Sequence, residues 1–277
     1  MKKNFKKLKK IYLYIPELIF FILKSLKQIK LRTDFKFIER KPQKIHIVGN
    51  GPSNYETLKN FHSNNEEIMC VNFFALTSLF NEVKPNYYVL LDPKFFDNPD
   101  ERHLKLVKKL NEVTWSISLF VAARNEIKIL RYLTNENIKI KVFKDIYLSG
   151  ENKIIYYLYR KNLAVPKFQN VIVSCIYTSI NLGYNKIYLH GVETNEFSKF
   201  IISEKNEAIL ITEHFYGKNT RNLYKEGLIK KGEFGKYLEF YANMLLGYAQ
   251  IERYSKDIGS QIYNCTKNSY IDSFEKI

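Results

Sequence analysis

The stretch Lys44-Ile-His-Ile-Val-Gly-Asn-Gly-Pro-Ser53 limits what this chain can become more than any other. Ile45, Ile47 and Val48 read as a short buried strand, and Gly49-Asn50-Gly51-Pro52-Ser53 then breaks the run. Two glycines permit a tight turn and a close approach to the main chain. Pro52 suits the first turn of a helix, and Ser53 or Asn54 can cap it. Strand, glycine turn and helix start together predict a turn that offers backbone amides to a phosphate. The motif is neither G-x-G-x-x-G nor a P-loop, and a plain strand-to-helix corner uses the same residues.

From Lys41 onward, apolar runs alternate with charged, helix-length segments. Ile68–Asn72, Tyr87–Asp92, Trp115–Phe120, Lys139–Phe143 and Lys186–Glu193 read as strands, with Gln261–Thr266 as the last. Asp100–Leu110 and Asn125–Leu133 read as helices between them. Asn170–Gly183 reads as a buried helix closed by glycine, and Tyr237–Tyr254 as an amphipathic helix. Residues 144–170 show no clear period and read as an irregular connection; residues 194–222 read as a lid or long loop. This order predicts an α/β fold, a doubly wound and mainly parallel sheet. The expected division is an arm over 1–40 and one Rossmann-like domain over 41–277, with a lid region at about 194–235.

The formal charge of +16 is uneven. Residues 1–32 hold ten Lys/Arg and one acid, which leaves +7 for the other 245 residues. A nucleic-acid binder would spread that charge along a face, so nucleic acid is not an expected partner. Within the arm, Ile11–Leu23 is apolar but short, contains Pro16 and Glu17, and is flanked by lysines. About 20 apolar residues are needed to cross a bilayer, and no small-residue cleavage site follows. The segment fits an amphipathic arm on an anionic membrane surface; an arm packed on the domain or on a second subunit is the alternative. Cys70, Cys175 and Cys265 are far apart, which predicts reduced thiols in the cytoplasm and neither a zinc site nor a disulfide framework.

Ligands of open α/β sheets bind beyond the carboxyl ends of the strands. Asn50-Gly51, Asn72, Asp92, Glu193 and Asn268-Ser269 stand at the predicted ends, and amides and hydroxyls suit a nucleotide's sugar and base. Each also has a plain use as a cap or turn residue. The ordered set Gly49–Ser53, Val71-Asn72-Phe73, Asp92–Phe96, Leu182–Glu193 and Asn268-Ser269 resembles bacterial sialyltransferases of glycosyltransferase family 42. A related MptE-like (DUF115) group carries similar motifs, and the match covers about residues 44–270.

That resemblance implies a Rossmann-like (GT-A-like), metal-independent, inverting enzyme that uses a CMP-activated sugar and a histidine base. It makes Asn50, Gly51, Ser53, Asn72, Asp92 and Glu193 donor-binding candidates, together with Ser174, Asn268 and Ser269. His214 falls in the stretch that carries the family's base. Thr194 and Asn195 stand where the family has a leaving-group tyrosine, and Val171-Ile172 replace its Ser-Gly turn, with Ser174 the nearest hydroxyl. The donor sugar is therefore read as sialic acid or a related acidic sugar.

The residues themselves agree with a base at His214. An inverting transfer needs a base near the acceptor hydroxyl, and His46 and His190 fall in strands while His62 and His103 fall on charged, solvated segments. Tyr216, Lys218 or Arg221 can steady the leaving group, with Tyr216 preferred. No D-x-D occurs in the sequence, so no metal cofactor is expected, and one phosphate has less charge to neutralise. The expected partners are a nucleotide-sugar donor, a glycan or lipooligosaccharide acceptor and, through residues 1–32, the inner membrane face. A homo-oligomer is compatible with the sequence. The alternatives are a non-catalytic membrane-associated protein with a nucleotide fold and an MptE-like phosphate or pyrophosphate transferase.

Overall fold

The structure is a computed structural model and describes residues 44–53, 66–97, 99–144, 146–167, 169–214 and 217–277. The basic arm, His62, the Asn54 cap and Tyr216 lie outside the described residues.

Among the described residues, eight parallel strands form the central sheet. They are β1 (Lys44–Val48), β2 (Glu67–Val71), β3 (Tyr87–Leu90), β4 (Ile117–Ala122), β5 (Ile138–Phe143), β6 (Lys186–His190), β10 (Gln261–Asn264) and β11 (Glu275–Lys276). Their spatial order is β11-β10-β6-β1-β2-β3-β4-β5. The chain thus steps outward from β1 to β5, returns to lay β6 on the other side of β1, and continues away through β10. This is the doubly wound α/β fold that the sequence predicts. The reversal lies between β1 and β6, the switch point at which ligands of open α/β sheets ordinarily bind.

Side chains alternate along these strands, so each face of the sheet has its own core. Ile45, Ile47, Met69, Val71, Val89, Ile187 and Leu189 point to one face. Three helices cover it: α2 (Lys153–Arg160), α3 (Val171–Asn181) and α4 (Phe234–Ile258). Val48, Ile68, Cys70, Tyr88 and Leu90 point to the other, beneath α1 (Glu101–Asn111) and short helical turns. Only Val171 of α3 is not buried, and an all-apolar helix surface is what a fully enclosed helix requires. Most of its polar residues are bonded there, Thr178 Oγ1 being without a partner among the described residues. Ser179 Oγ donates to Cys175 O (2.8 Å), and Asn181 donates to Tyr159 O and accepts from Tyr254 Oη (2.6 Å).

Several sequence expectations change. Residues 144–170 contain α2, whose buried Ile155, Tyr156 and Tyr159 have helical spacing that the surrounding tyrosines mask. Asn125–Leu133 supplies only short turns, with α-helix limited to Glu126–Ile129. The expected loop at 194–222 holds a three-stranded antiparallel sheet: β7 (Phe200–Ile202), β8 (Ala208–His214) and β9 (Gly217–Asn222). Phe200 of that sheet packs edge-on against Phe234 and Tyr237 at the start of α4. Among the described residues no helix is long and apolar enough to cross a membrane.

Candidate functional site

The turn after β1 and the loop after β6 are laced together at the switch point. Gly49 N–H donates to His190 O, Gly51 N–H to Gly191 O and Ser53 N–H to Glu193 Oε1, each at 2.9 Å. This close seam is why the turn needs its glycines. A Cβ on Gly49 would lie 2.5 Å from Gly191 O, and one on Gly51 would lie 1.4 Å from Glu193 Oε2 and 2.6 Å from Gly191 O. The sequence predicts these amides as a phosphate cradle. In the structure three of them hold the β6 loop instead, and a carboxylate lies against the turn.

Above the seam is a cleft of about 290 Å³, near the low end for small-molecule sites. Asn50, Asn72, Asn195 and Glu193 line it, with Phe73 on one wall and Met244 and Tyr248 of α4 on another. Asn50 Nδ2 makes a long bond to Val71 O (3.4 Å), and its Oδ1 has no partner among the described residues. Asn72 has φ +48°, a left-handed conformation that asparagine tolerates better than most residues. Tyr248 Oη accepts from Asn170 Nδ2 (2.7 Å) and lies 3.4 Å from Thr194 Oγ1. Burial pushes the Tyr248 phenol well above its ordinary value, so it is a neutral group. Among the described lining residues there is no Lys, Arg or His, and there are two carboxylates, Glu193 and Glu196.

Of the candidates from sequence, the structure brings Asn50, Gly51, Asn72 and Glu193 together in the cleft. Ser53 adjoins them through its amide bond to Glu193. The others lie elsewhere. Asp92 is exposed and caps the turn Pro93–Phe95 by accepting from Lys94 N–H (2.9 Å). Ser174 is fully buried and donates to Val171 O (2.6 Å). Ser269 Oγ donates to Val192 O (2.7 Å), while Tyr270 N–H donates to Glu193 O, so this loop buttresses the cleft loop from behind. Asn268 is an exposed turn residue at φ +55°. His214 closes β8 opposite Gly217; its side chain, like Tyr216, lies outside what is described.

The sequence marks Phe73, Thr194 and Asn195 only through the resemblance and does not mark Asn170, Met244 or Tyr248 as site residues, although all six line the cleft. Asn170 carried a signal, because it caps α3 by accepting from Val173 N–H three residues on. Tyr248 carried none: which face of a long helix meets the cleft is decided by packing.

Beneath the site, on the second face of the sheet, lies a chain of titratable groups. Lys44 Nζ is 3.0 Å from Glu66 Oε1, His46 Nε2 is 2.7 Å from Glu66 Oε2, and His46 Nδ1 is 2.8 Å from His190 Nε2. With both rings neutral, His46 donates to the carboxylate and accepts from His190. Burial lowers both imidazoles, His190 to about 3 and His46 against the opposing pull of Glu66. Both histidines are buried, as their strand positions predict. His103 is not the solvated residue expected: its ring packs on Phe73 and Phe95, and its Nδ1 is 2.7 Å from Asp100 Oδ1.

No family model matches the chain, and no curated protein matches it. Solved structures do. A MAf glycosyltransferase from Magnetospirillum magneticum AMB-1 aligns over 89% of this chain at 14% identity with a TM-score of 0.51. This chain spans 36% of that protein, about a third of its length. The sialyltransferase CstII from Campylobacter jejuni, solved with the substrate analogue cytidine-5'-monophosphate, aligns over 84% of both chains at 14% identity, TM-score 0.40. The monofunctional α-2,3-sialyltransferase Cst-I from Campylobacter jejuni aligns over 88% of this chain and 83% of that one at 16% identity, TM-score 0.44. At these identities the likeness is one of fold, carried by the Magnetospirillum structure.

Proposed function

We propose that the chain is an inverting, metal-independent glycosyltransferase. It moves sialic acid or a related acidic sugar from a CMP-activated donor to a glycan or glycolipid acceptor at the inner membrane face. The observation that carries this reading is the chemistry of the cleft. Its described lining offers amide side chains, two carboxylates and aromatic walls, and no cation. Such a lining suits a ligand rich in hydroxyls and ring edges that carries little phosphate charge. A nucleoside diphosphate or triphosphate brings more charge and ordinarily meets lysine, arginine or a metal. A CMP-sugar has a single phosphodiester. The unpartnered Asn50 Oδ1 accepts a hydroxyl or an exocyclic amine, and Glu193 accepts sugar hydroxyls while holding the turn.

The Magnetospirillum glycosyltransferase adds support at the level of fold only. In this reading His214 is the base that takes the acceptor proton, Tyr216 steadies the departing phosphate, and residues 1–32 hold the enzyme on anionic lipid. Turnover of a CMP-sugar with a glycan acceptor, measured in chelator, tests the reading. The wild type turns over, and His214→Ala loses about 10²–10⁴-fold, the usual effect of a positioned base. Near-normal turnover by His214→Ala would move the base to Glu193, a carboxylate of the cleft.

A further inference from the structure

We propose that a second groove beside the cleft binds an oxyanion, phosphate or carboxylate, carried by the acceptor. This rests on the cleft being the donor site. The helical turn Asn72–Leu76 separates the two depressions. Asn72 and Phe73 face the cleft, whereas Ala75, Leu76 and Thr77 line an open groove of about 490 Å³ whose other wall is α1. That wall carries Lys105, Lys108 and Lys109, and Glu112 just past the helix end also lines the groove. Arg102, one turn earlier, lies over the Phe73 ring at 3.9 Å. At 100° per residue, positions 102, 105, 108 and 109 fall on one third of the helix circumference. A basic track thus runs from the cleft wall to the groove.

The lysines can take a ligand. Lys105–Glu101 (2.7 Å) is a pair between exposed groups, and Lys109–Glu112 (3.8 Å) is a long pair between a partly covered lysine and an exposed glutamate. Such pairs contribute little and exchange readily. Lys108 has no ion-pair partner among the described residues. Lys108 and Lys109 also complement the carbonyl end of α1, but that role gives no reason for Thr77. Its hydroxyl oxygen is buried at the groove and has no hydrogen-bond partner among the described residues. A hydroxyl in this state is completed by water or by a ligand's oxyanion. Charge is therefore divided between the two depressions. The cleft is lined by amides and two carboxylates, while the groove is basic and suits an acidic sugar or phosphorylated acceptor.

Inorganic pyrophosphate, titrated into the full chain by calorimetry, is the probe. It binds saturably, is displaced by glucuronate or phosphorylated glycans, and leaves CMP affinity in the cleft unchanged. Lys105→Ala/Lys108→Ala/Lys109→Ala weakens it about tenfold or more, and Thr77→Val weakens it without altering the fold. Equal pyrophosphate affinity in these variants would overturn the proposal by placing the anion on the basic arm. Displacement by CMP would overturn it by placing the anion in the cleft. A parallel arm uses phosphatidylglycerol vesicles: loss of vesicle binding alone in the triple variant would make the groove a lipid contact and refute the acceptor assignment. Absence of CMP binding would sink the donor reading by itself, because the groove is scored by the variants.

Discussion

Gly51→Ala tests the seam on which the site is built. The added methyl would meet Glu193 Oε2 at 1.4 Å, Glu193 Cδ at 2.4 Å and Gly191 O at 2.6 Å. The carboxylate is the far end of a flexible side chain and can swing away, at the cost of its bond to Ser53 N–H. The Gly191 carbonyl is backbone and accepts from Gly51 N–H itself, so the turn and the β6 loop must part. Overpacking costs about 1–3 kcal/mol, and a lost buried hydrogen bond adds about 0.5–1.5 kcal/mol. The expected loss is about 2–4 kcal/mol by urea unfolding. Gly51→Ala/Glu193→Ala recovers part of this loss, because one clash goes and the carbonyl stays. Gly247→Ala is the control: its methyl would meet only Lys167 O and Val173 Cγ2, both at 3.8 Å. Inside a helix that change stabilises by about 0.5–1 kcal/mol. A Gly51→Ala protein within about 0.5 kcal/mol of wild type would refute the seam.

His190 sets a pH dependence. It is held at about 3 when folded and returns to about 6.5 when unfolded, so the unfolded chain binds the extra proton throughout that interval. Stability is full above pH 6.5 and falls by about 1.4 kcal/mol per unit as pH drops toward the folded value. Between pH 7 and 5, wild type should lose about 2 kcal/mol more than His190→Gln in urea melts; parallel losses would contradict the buried neutral ring. Removing residues 1–32 should leave a folded protein with weaker binding to anionic vesicles, at about 1 kcal/mol per basic residue near the surface. Undiminished binding by the truncated chain would assign the arm another role.

The sheet was legible because buried parallel strands are short apolar runs whatever else the chain does, and seven of the eight strands of the main sheet announce themselves that way. β11 did not: two exposed residues, Glu275 and Lys276, carry no apolar pattern. Strand ends pointed to Asn50, Gly51, Asn72 and Glu193, since loops after parallel strands share one edge. The same rule misplaced Asp92, because β3 lies two strands from the switch point and its following loop opens elsewhere. Ser174 misled for a different reason. A serine in an apolar helix satisfies itself on the preceding turn, and its sequence neighbours cannot show that. The glycines read as a close approach, but whether that approach meets a ligand or the β6 loop depends on residues 140 positions away.

Calorimetric titration of CMP, UDP and ATP into the full chain, in chelator, tests the central claim most directly. The account predicts that CMP binds more tightly than UDP or ATP and that Asn50→Ala weakens CMP while leaving the fold intact. At 100 times its dissociation constant CMP should add about 2.7 kcal/mol of stability. Equal weak binding of all three nucleotides, or CMP affinity untouched by Asn50→Ala, would contradict a donor site in the cleft between β1 and β6.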